Sequence, residues 1–456
     1  MNILFINPSL RPDAKRRQLP VGLAYIMTAV KKAGFTFDLI DMDINRLSPT
    51  HLPGLLKDKS YDVCALGCIV TGYRYVKNIA SVMKDIFPNI IIVAGNSVAT
   101  SIPEILLKST SVDIAVLGEG DVTIVELLDS IRKGEDVSQV KGLAVRQDGR
   151  VIFTGKRTTI SVLDDVGFPD WNLFDLQQYV DYAAINVNAF STENVLSYPL
   201  NSARGCPFDC TFCYHVFKED KYRRYSELSI LKEIERLHEK YDCNFISFWD
   251  ELTFPSIKAV RNRINSLENL AFKINWDAPV RANLFKRQHL EILKELKLVG
   301  CDNLAFSLEN ASPIILSAMN KRINVGDFIE QAHCLWDAGI IPLTSIVLGY
   351  PQETPETIRE TIDVCRECRI FPSTGFLLPL PGTPIYTWAM RNGFIGDEVE
   401  YLERIGDRQD FHINLTAMPD DKFVGIVTDE LHSLADDLGI KVESVFKTTT
   451  YQTPGA

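Results

Sequence analysis

Short apolar segments alternate with amphipathic helical patterns along most of the chain, and this alternation restricts the fold more than any other feature. ILFINPS at 3–9, NIIIVAG at 89–95 and DIAVLGEG at 113–120 are apolar runs that end in polar or glycine residues. Between them, apolar residues recur at helical spacing, as in VGLAYIMTAVKKAG at 21–34. Such strands and helices are typical of a parallel sheet covered on both faces. The sequence therefore predicts an α/β fold with a doubly wound, Rossmann-like or flavodoxin-like N-terminal domain.

A second alternation begins near residue 195 and contains further strand candidates. They are residues 195–203, 244–251, 274–282, 303–310, 342–350 and 374–380. Helical patterns such as SELSILKEIERLHEKY at 226–241 separate them. Eight such units would close a barrel of roughly 250 residues, and the region is too short for that. We therefore predict a partial (β/α)6 barrel with its chemistry at the carboxyl ends of the strands.

These patterns divide the chain of 456 residues into four parts. We predict a Rossmann-like domain over 1–140, a hairpin and linker over 141–194, the barrel over 195–395 and a short mixed C-terminal segment over 396–456. The hairpin is expected to turn at Asp148–Gly149, because this residue pair favours two-residue hairpin loops.

Charge and hydropathy argue against several kinds of partner. The formal charge is −11, with 48 basic and 59 acidic side chains, so nucleic acid is not expected as a partner. No apolar run approaches the roughly 20 residues that cross a bilayer. The N-terminal MNILFINPS also lacks the features of a signal peptide. We expect a cytoplasmic protein that binds no membrane.

Three of the ten cysteines lie close together in ARGCPFDCTFCYH at 203–215. Cys206, Cys210 and Cys213 directly follow the first strand candidate of the second alternation. Closely spaced thiolates on such loops hold iron–sulfur clusters, and three of them leave the fourth iron of a 4Fe–4S cluster free for a small molecule. Zinc bound with the help of His215 is one alternative, and a chance grouping of buried cysteines is another. The place at a barrel mouth favours the cluster, because zinc knuckles normally stabilise small folds.

The cysteine loop resembles the signature of radical S-adenosylmethionine (SAM) enzymes. CPFDCTFC matches their CxxxCxΦC motif, with Phe212 as the aromatic residue before the last cysteine. The resemblance implies that the free iron of the cluster chelates the amino and carboxylate groups of SAM. It also implies reductive cleavage to methionine and a 5′-deoxyadenosyl radical, with an electron donor such as flavodoxin or ferredoxin.

The same resemblance implies SAM contacts at the ends of later strands. The acidic stretch that the family places after the second strand corresponds to WDELTF at 249–254, although the usual Gly-Gly-Glu form is replaced. The polar pair on the ribose corresponds to SLEN at 307–310, where a carboxylate can accept hydrogen bonds from both hydroxyls. An arginine after the third strand could pair with the SAM carboxylate, and glycine and proline turns would lie near the adenine. The predicted SAM-binding residues are Phe212, Asp250, Glu251, Arg281, Ser307, Glu309, Gly349 and Pro381.

The N-terminal domain resembles the cobalamin-binding (B12-binding) domain of one large branch of these enzymes. INPS, LPVGLAYI, VAGNSVAT and especially GEGDVTIVELL carry this resemblance. A flavodoxin-like domain with another ligand is the alternative. The sequence lacks DxHxxG, whose histidine coordinates cobalt in methionine-synthase-type domains, so the lower cobalt ligand is water, a nearby side chain or nothing. The predicted cobalamin contacts are Ser9, Thr71, Gly95, Asn96, Ser97, Gly118, Glu119 and Gly120.

Together, the two resemblances imply a cobalamin-dependent radical SAM methyltransferase that methylates an unactivated carbon. Protein side chains do acid–base and nucleophilic chemistry, whereas a carbon radical can abstract hydrogen from such a carbon and methylcobalamin can donate the methyl group. One substrate hypothesis is a peptide or protein side chain, as in methyl-coenzyme M reductase. A cyclase, ring-contraction or other rearrangement enzyme without methyl transfer is the alternative, and a non-enzymatic cofactor carrier is a third hypothesis. The sequence predicts no catalytic side chain.

Overall fold

The computed structural model describes residues 1–12, 17–179, 195–442 and 444–446. The described chain forms two compact units. The first unit consists of Met1–Tyr179, Tyr214–Asp220 and Pro379–Asp407, and the second takes the rest of the described chain. This division differs from the predicted one, because the hairpin and two short segments of the predicted barrel belong to the first unit. Residues 180–194 of the predicted linker and 447–456 of the predicted C-terminal segment lie outside the described residues.

The strands of the described chain follow both predicted alternations. Their bounds are β1 Ile3–Asn7, β2 Phe37–Asp41, β3 Val63–Gly67, β4 Ile91–Gly95, β5 Ile114–Val116, β6 Leu143–Gln147, β7 Arg150–Phe153, β8 Ser197–Leu200, β9 Ala203–Arg204, β10 Arg223–Arg224, β11 Phe245–Phe248, β12 Asn275–Pro279, β13 Cys301–Ala305, β14 Ile341–Leu343, β15 Ser345–Leu348 and β16 Ser373–Phe376.

Amphipathic helices connect these strands. Their bounds are α1 Val21–Lys32, α2 Leu52–Leu56, α3 Tyr73–Ile86, α4 Asn96–Ser101, α5 Pro103–Ser109, α6 Gly120–Lys133, α7 Glu227–Tyr241, α8 Ile257–Leu267, α9 Leu290–Leu298, α10 Pro313–Ala318, α11 Val325–Asp337, α12 Pro355–Glu367, α13 Pro384–Arg391, α14 Glu398–Arg404 and α15 Asp420–Leu438. Side-chain caps set where several of them begin: Ser226 accepts a hydrogen bond ahead of α7, and Thr354 does so ahead of α12. None of these helices is long and apolar enough to span a bilayer.

The first unit contains a seven-stranded sheet in the order β2-β1-β3-β4-β5-β6-β7. Strands β1 to β5 pair in parallel, which confirms the predicted doubly wound domain. The hairpin β6–β7 adds two antiparallel strands and turns at Asp148 and Gly149, both with positive φ. The chain order reverses between β1 and β3, so the expected ligand-binding position lies beyond the carboxyl ends of these strands.

The second unit contains the six predicted β/α units of the partial barrel. Five strands pair in parallel in the order β14-β13-β12-β11-β8, and β15 pairs in parallel with β16. The fifth barrel strand is divided at Thr344 into β14 and β15, and a bridge between Glu309 and Ile346 continues the parallel order. The short antiparallel pair β9–β10 follows β8.

Candidate functional site

The cysteine triplet lies on the loop between β9 and β10, directly after the first barrel strand. Gly205 begins this loop with a φ of 85°, a conformation that glycine adopts without strain. Cys210 is buried, Cys206 is half-buried and Cys213 is exposed. Burial raises the pKa of the Cys206 thiol, and a bound metal would favour its thiolate form. The loop thus offers three thiols in an irregular segment, which is the donor set that a three-cysteine iron–sulfur cluster needs.

The loop is anchored by the turn that follows α10. Thr211 donates from its backbone to Met319 O at 2.9 Å, and Asn320 Nδ2 donates to Asp209 O at 2.9 Å. A zinc site with three cysteines and a histidine would need its ligands around one point. No three His, Cys, Asp or Glu side chains of the described chain converge in that way, and this holds for the three cysteines with or without His215.

Two basic side chains lie beside the cysteine loop. The Arg281 guanidinium is 3.6 Å from the centroid of the Phe208 ring, and its Nη2 donates to Lys321 O. Its Nε is buried with no hydrogen-bond partner among the described residues. Lys321 Nζ is 2.8 Å from Glu309 Oε1 and 5.9 Å from the centroid of the Phe212 ring. The predicted residues Phe212, Arg281 and Glu309 are therefore brought together, and Lys321 joins them.

Sequence reasoning missed Lys321 and Tyr350. Tyr350 packs edge-on against Phe212 at 6.5 Å, and its hydroxyl lies 2.9 Å from Thr211 Oγ1. Lys321 follows α10, within NKR just after SLEN, and Tyr350 follows the predicted Gly349. Their closeness to predicted positions was the available signal, but a lysine or tyrosine after a short helix or strand has many structural uses.

Glu309 has an unusual backbone conformation for a non-glycine residue. Its φ is 63°, in the left-handed region, which costs of order 1 kcal/mol. Two backbone hydrogen bonds hold it there: Glu309 N donates to Ser345 O at 3.1 Å, and Val347 N donates to Glu309 O at 2.8 Å. Ser307, the other predicted ribose contact, accepts a hydrogen bond from Ser345 Oγ at 2.8 Å. Backbone pairing therefore fixes where the Glu309 side chain leaves the chain, and the ion pair with Lys321 holds its carboxylate.

The two predicted acidic residues after β11 have different environments. The buried Asp250 carboxylate accepts hydrogen bonds from Ser202 N at 2.7 Å, Ser202 Oγ at 2.6 Å and Ala203 N at 2.9 Å. These bonds fix the chain just before the cysteine loop, so Asp250 positions the loop. Glu251 accepts from Gly205 N at 3.3 Å, and enclosure of its carboxyl group raises its pKa to about 6. Glu251 is thus the one of the two that keeps a freer carboxyl group.

The remaining predicted SAM residues serve the fold. Gly349 has a φ of 115°, and a Cβ there would lie 3.4 Å from the Phe423 ring and 3.5 Å from Leu377 Cβ. The backbone conformation therefore requires glycine at this position, whereas a Cβ would make only ordinary van der Waals contacts. Pro381 is buried within Pro379–Asp407, which belongs to the first unit.

The carboxyl edge of the first sheet is open and lined by glycine. A Cβ on Gly95 or Gly118 would meet no atom within 4 Å, so both backbones border free space. Asn96 is exposed with a φ of 67°, and Ile69 on the neighbouring loop is 46% exposed. Thr71 is half-buried on the same loop. An accessible edge with close backbone approach and mixed apolar and polar groups suits a large flat ligand such as a corrin ring.

Two predicted cobalamin contacts use their hydroxyl groups within the fold. Ser9 is buried and donates to Asp43 Oδ1 at 2.9 Å. Ser97 Oγ accepts a hydrogen bond from Val70 N at 2.8 Å. Both hydroxyls hold loops at the carboxyl edge, so these residues shape the edge rather than present a free polar group.

Two further predicted contacts are explained by packing. Glu119 is buried, and its Oε2 accepts a hydrogen bond from Ile160 N at 2.9 Å. A Cβ on Gly120 would lie 2.8 Å from Ile26 Cδ1, so this glycine allows α6 to approach α1. Direct contact with a ligand is therefore best supported for Thr71, Gly95, Asn96 and Gly118.

Family models match both parts of the chain. The model of the radical SAM superfamily matches residues 200–365, and that of the B12 binding domain matches residues 13–128. This protein is a cobalamin-dependent radical SAM enzyme. The radical SAM domain implies a 4Fe–4S cluster and SAM, and the B12 binding domain implies cobalamin. The cysteine loop lies within the first match, and Gly95, Asn96 and Gly118 at the open edge of the first sheet lie within the second.

Similar proteins support the same assignment over most of the chain. An uncharacterized methyltransferase of Pyrococcus horikoshii is 26% identical over 87% of this chain and 84% of its own length. An anaerobic magnesium-protoporphyrin IX monomethyl ester cyclase of Cereibacter sphaeroides is 27% identical over 85% of this chain, which spans 63% of that relative. The radical SAM methyltransferase TsrM from Kitasatospora setae shares the fold, with a TM-score of 0.72 and 16% identity over 98% of this chain and 92% of TsrM.

Proposed function

We propose that this radical SAM enzyme is a cobalamin-dependent methyltransferase that methylates an unactivated carbon. The observation that carries the proposal is the presence of two cofactor-binding parts in one chain that is similar to a methyltransferase over 84% of that relative's length. Methyl transfer to such a carbon needs a hydrogen-abstracting radical and a methyl donor. When bound, the cluster with SAM supplies the 5′-deoxyadenosyl radical, and cobalamin supplies the methyl group.

In the second unit, the protein's part is to bind and orient SAM. The Glu309 carboxylate can accept hydrogen bonds from both ribose hydroxyls, and its backbone holds it in one direction. Lys321 pairs with the other side of this carboxylate and keeps the buried charge compensated. The unpartnered Arg281 Nε is available to donate to an anionic group. Phe212 and Tyr350 pack beside these charges and exclude water from them.

In the first unit, the protein's part is to receive a large cofactor by shape. Gly95 and Gly118 leave room beside the strand ends, and Asn96 supplies an amide at the same edge. Ser9 and Ser97 hold the surrounding loops through hydrogen bonds. Such an edge binds through close backbone approach and needs few charged side chains.

Reductive cleavage of SAM requires one electron from outside the chain. We propose a flavodoxin or ferredoxin as its source, and an organic molecule or a peptide or protein side chain as the substrate. A side chain of methyl-coenzyme M reductase is one example of such a protein substrate.

Anaerobic turnover with SAM that carries a deuterated methyl group tests the proposal. The purified protein, loaded with cluster and cobalamin, is incubated with reductant and with extract from cells that lack the gene. A methyltransferase produces 5′-deoxyadenosine and places the label in a new product. Formation of 5′-deoxyadenosine with an unlabelled product would instead support the cyclase or rearrangement alternative, which the Cereibacter sphaeroides relative favours by name. If 5′-deoxyadenosine forms only when cobalamin is omitted, the methylation scheme is wrong.

A further inference from the structure

The barrel strands have two chemically different faces. On β11 and β12, Phe248 and Trp276 point toward the surrounding helices, since the Arg263 guanidinium on α8 is 4.6 Å from the centroid of the Phe248 ring and the two aromatic rings are 5.8 Å apart. Successive side chains of a strand point to opposite faces. Ser247, one residue before Phe248, and Asp277, one residue after Trp276, therefore point to the inner face of the barrel. The pairing of β12 with β13 shifts register at Trp276/Asp277, but the hydrogen bond from Ser247 Oγ to Asp277 Oδ1 at 2.7 Å places both side chains on the same face.

Part of the inner face is lined by small polar side chains, and the same strand register places Pro279, Ala305 and Leu343 beside them on that face. The strand register places Ser247 beside Asp277 and Asp277 beside Asn303. Two serines of later strands, Ser307 and Ser345, continue this lining and are joined by a hydrogen bond of 2.8 Å. All five side chains are partly exposed, whereas the residues that alternate with them are buried. Barrels whose interior is only a core are filled by bulky branched residues. The polar part of this interior, around Asp277, is instead suited to a polar group of a ligand.

Asp277 is the acidic side chain of this inner face on β11, β12 and β13. Its Oδ1 accepts a hydrogen bond from Ser247 Oγ at 2.7 Å. Asp302 on the next strand faces the helices, where Lys297 Nζ lies 3.4 Å away. Asp277 has no such basic neighbour within ion-pair distance in the described chain, and burial, together with the negative charge of Asp302, raises the pKa of Asp277 to about 7. Lys297 compensates the charge of the Asp302 carboxylate on the helix side. The Asp277 carboxylate on the inner face has no cation beside it in the described chain.

Trp249 adds an aromatic surface to the same face. It follows Ser247 by two residues, and its backbone N donates to Leu200 O at 3.0 Å, so strand pairing continues through it. Its side chain is 36% exposed, which is unusual for a tryptophan beside a barrel strand. Tryptophan is the aromatic residue that attracts cations most strongly over its ring.

We propose that Asp277, Ser247 and Trp249 form a binding site for a cationic nitrogen group of the substrate, an ammonium or a guanidinium. The inference rests on the proposed function, because the ligand is the molecule that the enzyme methylates. The carboxylate would accept charge-assisted hydrogen bonds from the cation, and the indole would cover its other side. The amino group of SAM is not available for this site if it binds the free iron, as the family resemblance implies.

Binding of matched cationic and neutral probes tests this site. The full-length enzyme, loaded anaerobically with cluster, cobalamin and S-adenosylhomocysteine, is titrated calorimetrically with Nα-acetyl-arginine methylamide and Nα-acetyl-lysine methylamide. The neutral partners are the corresponding citrulline and norleucine compounds, and n-butylguanidinium represents a small free ligand. We expect the cationic probes to bind about tenfold more tightly than the neutral ones. Preference for the capped amino acids over n-butylguanidinium would indicate a peptide substrate, and the reverse a small molecule.

Variants separate the cation site from a general structural effect. Asp277→Asn is expected to remove the preference for cations while the neutral probes bind as before. Asp302→Asn, the matched carboxylate on the helix side, is expected to keep the preference. Trp249→Leu leaves the Asp277 carboxylate in place and is expected to weaken cation binding about threefold or more. If Asp277→Asn does not fold, Trp249→Leu tests the site in its place.

Three results would overturn the inference. They are equal binding of cationic and neutral probes to the unaltered enzyme, a cation preference that survives in Asp277→Asn, and a parallel loss of S-adenosylhomocysteine affinity in that variant. 5′-Deoxyadenosine formation is measured on the same batch of unaltered enzyme, with SAM in place of S-adenosylhomocysteine and with reductant and cell extract added. If it forms without a cation preference, only the cation site is wrong; if it does not form, the proposed function is wrong.

Discussion

The two ligand-binding edges of this protein consist of different kinds of residue. At the carboxyl edge of the first sheet, Gly95 and Gly118 leave open space, and two of the predicted serines are engaged within the fold. At the mouth of the barrel, charged side chains converge, with Lys321 paired to Glu309 at 2.8 Å. From this comparison we propose that one edge selects a large cofactor by shape and that the other holds a small charged one by paired groups. We therefore expect substitutions at the two edges to change different properties of the protein, namely the binding of one cofactor or the other and the free energy of unfolding.

The largest expected effect is confined to the barrel. Cys210→Ala removes one of three thiolates of the cluster, so we expect 5′-deoxyadenosine formation to fall by at least about a thousandfold, because no side chain can replace the cofactor. Iron content and 5′-deoxyadenosine are measured, together with cobalamin absorbance. Cys368→Ala, at the buried cysteine that follows α12 in the same unit, is the control and should retain both iron and 5′-deoxyadenosine formation. Loss of cobalamin binding in Cys210→Ala would show that the edges are not independent.

The next effect concerns the buried pair at the barrel mouth. Lys321→Met leaves the Glu309 carboxylate buried without its cation, so we expect a loss of about 3 kcal/mol in the free energy of unfolding. SAM affinity should fall about tenfold or more, because the carboxylate loses its fixed environment. Denaturant unfolding and equilibrium binding measure the two effects. Lys321→Arg should recover part of both, and a Lys321→Met protein with unchanged SAM affinity would contradict the assignment.

A smaller effect is expected at the glycine edge, without loss of stability. Gly95 has extended backbone angles and free space beside it, so Gly95→Val should fold with a change below about 1 kcal/mol. The added side chain occupies the space of the ligand, and we expect cobalamin affinity to fall about tenfold. Gly72→Ala is the contrast, since its Cβ would overlap the buried Cys68 Sγ and lie 2.6 Å from Leu10 Cδ2, which should reduce stability instead. Equal cobalamin affinity in Gly95→Val would remove Gly95 from the site.

The smallest effect depends on pH and concerns the inner face of the barrel. The folded-state pKa of Asp277 is raised to about 7, so the folded protein bears a penalty that is absent near pH 4 and grows as the pH rises to about 7. Asp277→Asn should therefore raise stability more at pH 8 than at pH 5. Because the side chain is partly exposed, we expect a difference of about 1–2 kcal/mol. Thermal unfolding at the two pH values measures this difference in stability. An equal gain at both would show that the pKa of the Asp277 carboxyl group is not raised in the folded protein.

Prediction from the sequence succeeded where the signal was local. The strand and helix periodicity predicted both sheets, while the assignment of the three cysteines to a cluster stays a prediction. It was less informative for polar residues at the strand ends. Asp250 was predicted to contact SAM, yet its carboxylate binds Ser202, which lies 48 residues away in the chain. Ser9 similarly donates to Asp43, which lies 34 residues away. No periodicity of a single sequence contains such pairings.

The sequence by itself determined that this chain forms two parallel α/β units, with a three-thiol loop on one of them. Strand periodicity, helix spacing and cysteine spacing are short-range properties, so they can be read along the chain. Tertiary structure alone decided which polar groups remain available to ligands, that Lys321 joins Glu309, and that Asp277 faces the interior without a cation. Those outcomes depend on strand register and on partners distant in sequence, and a buried polar group is free for a ligand only where the fold has not already satisfied it.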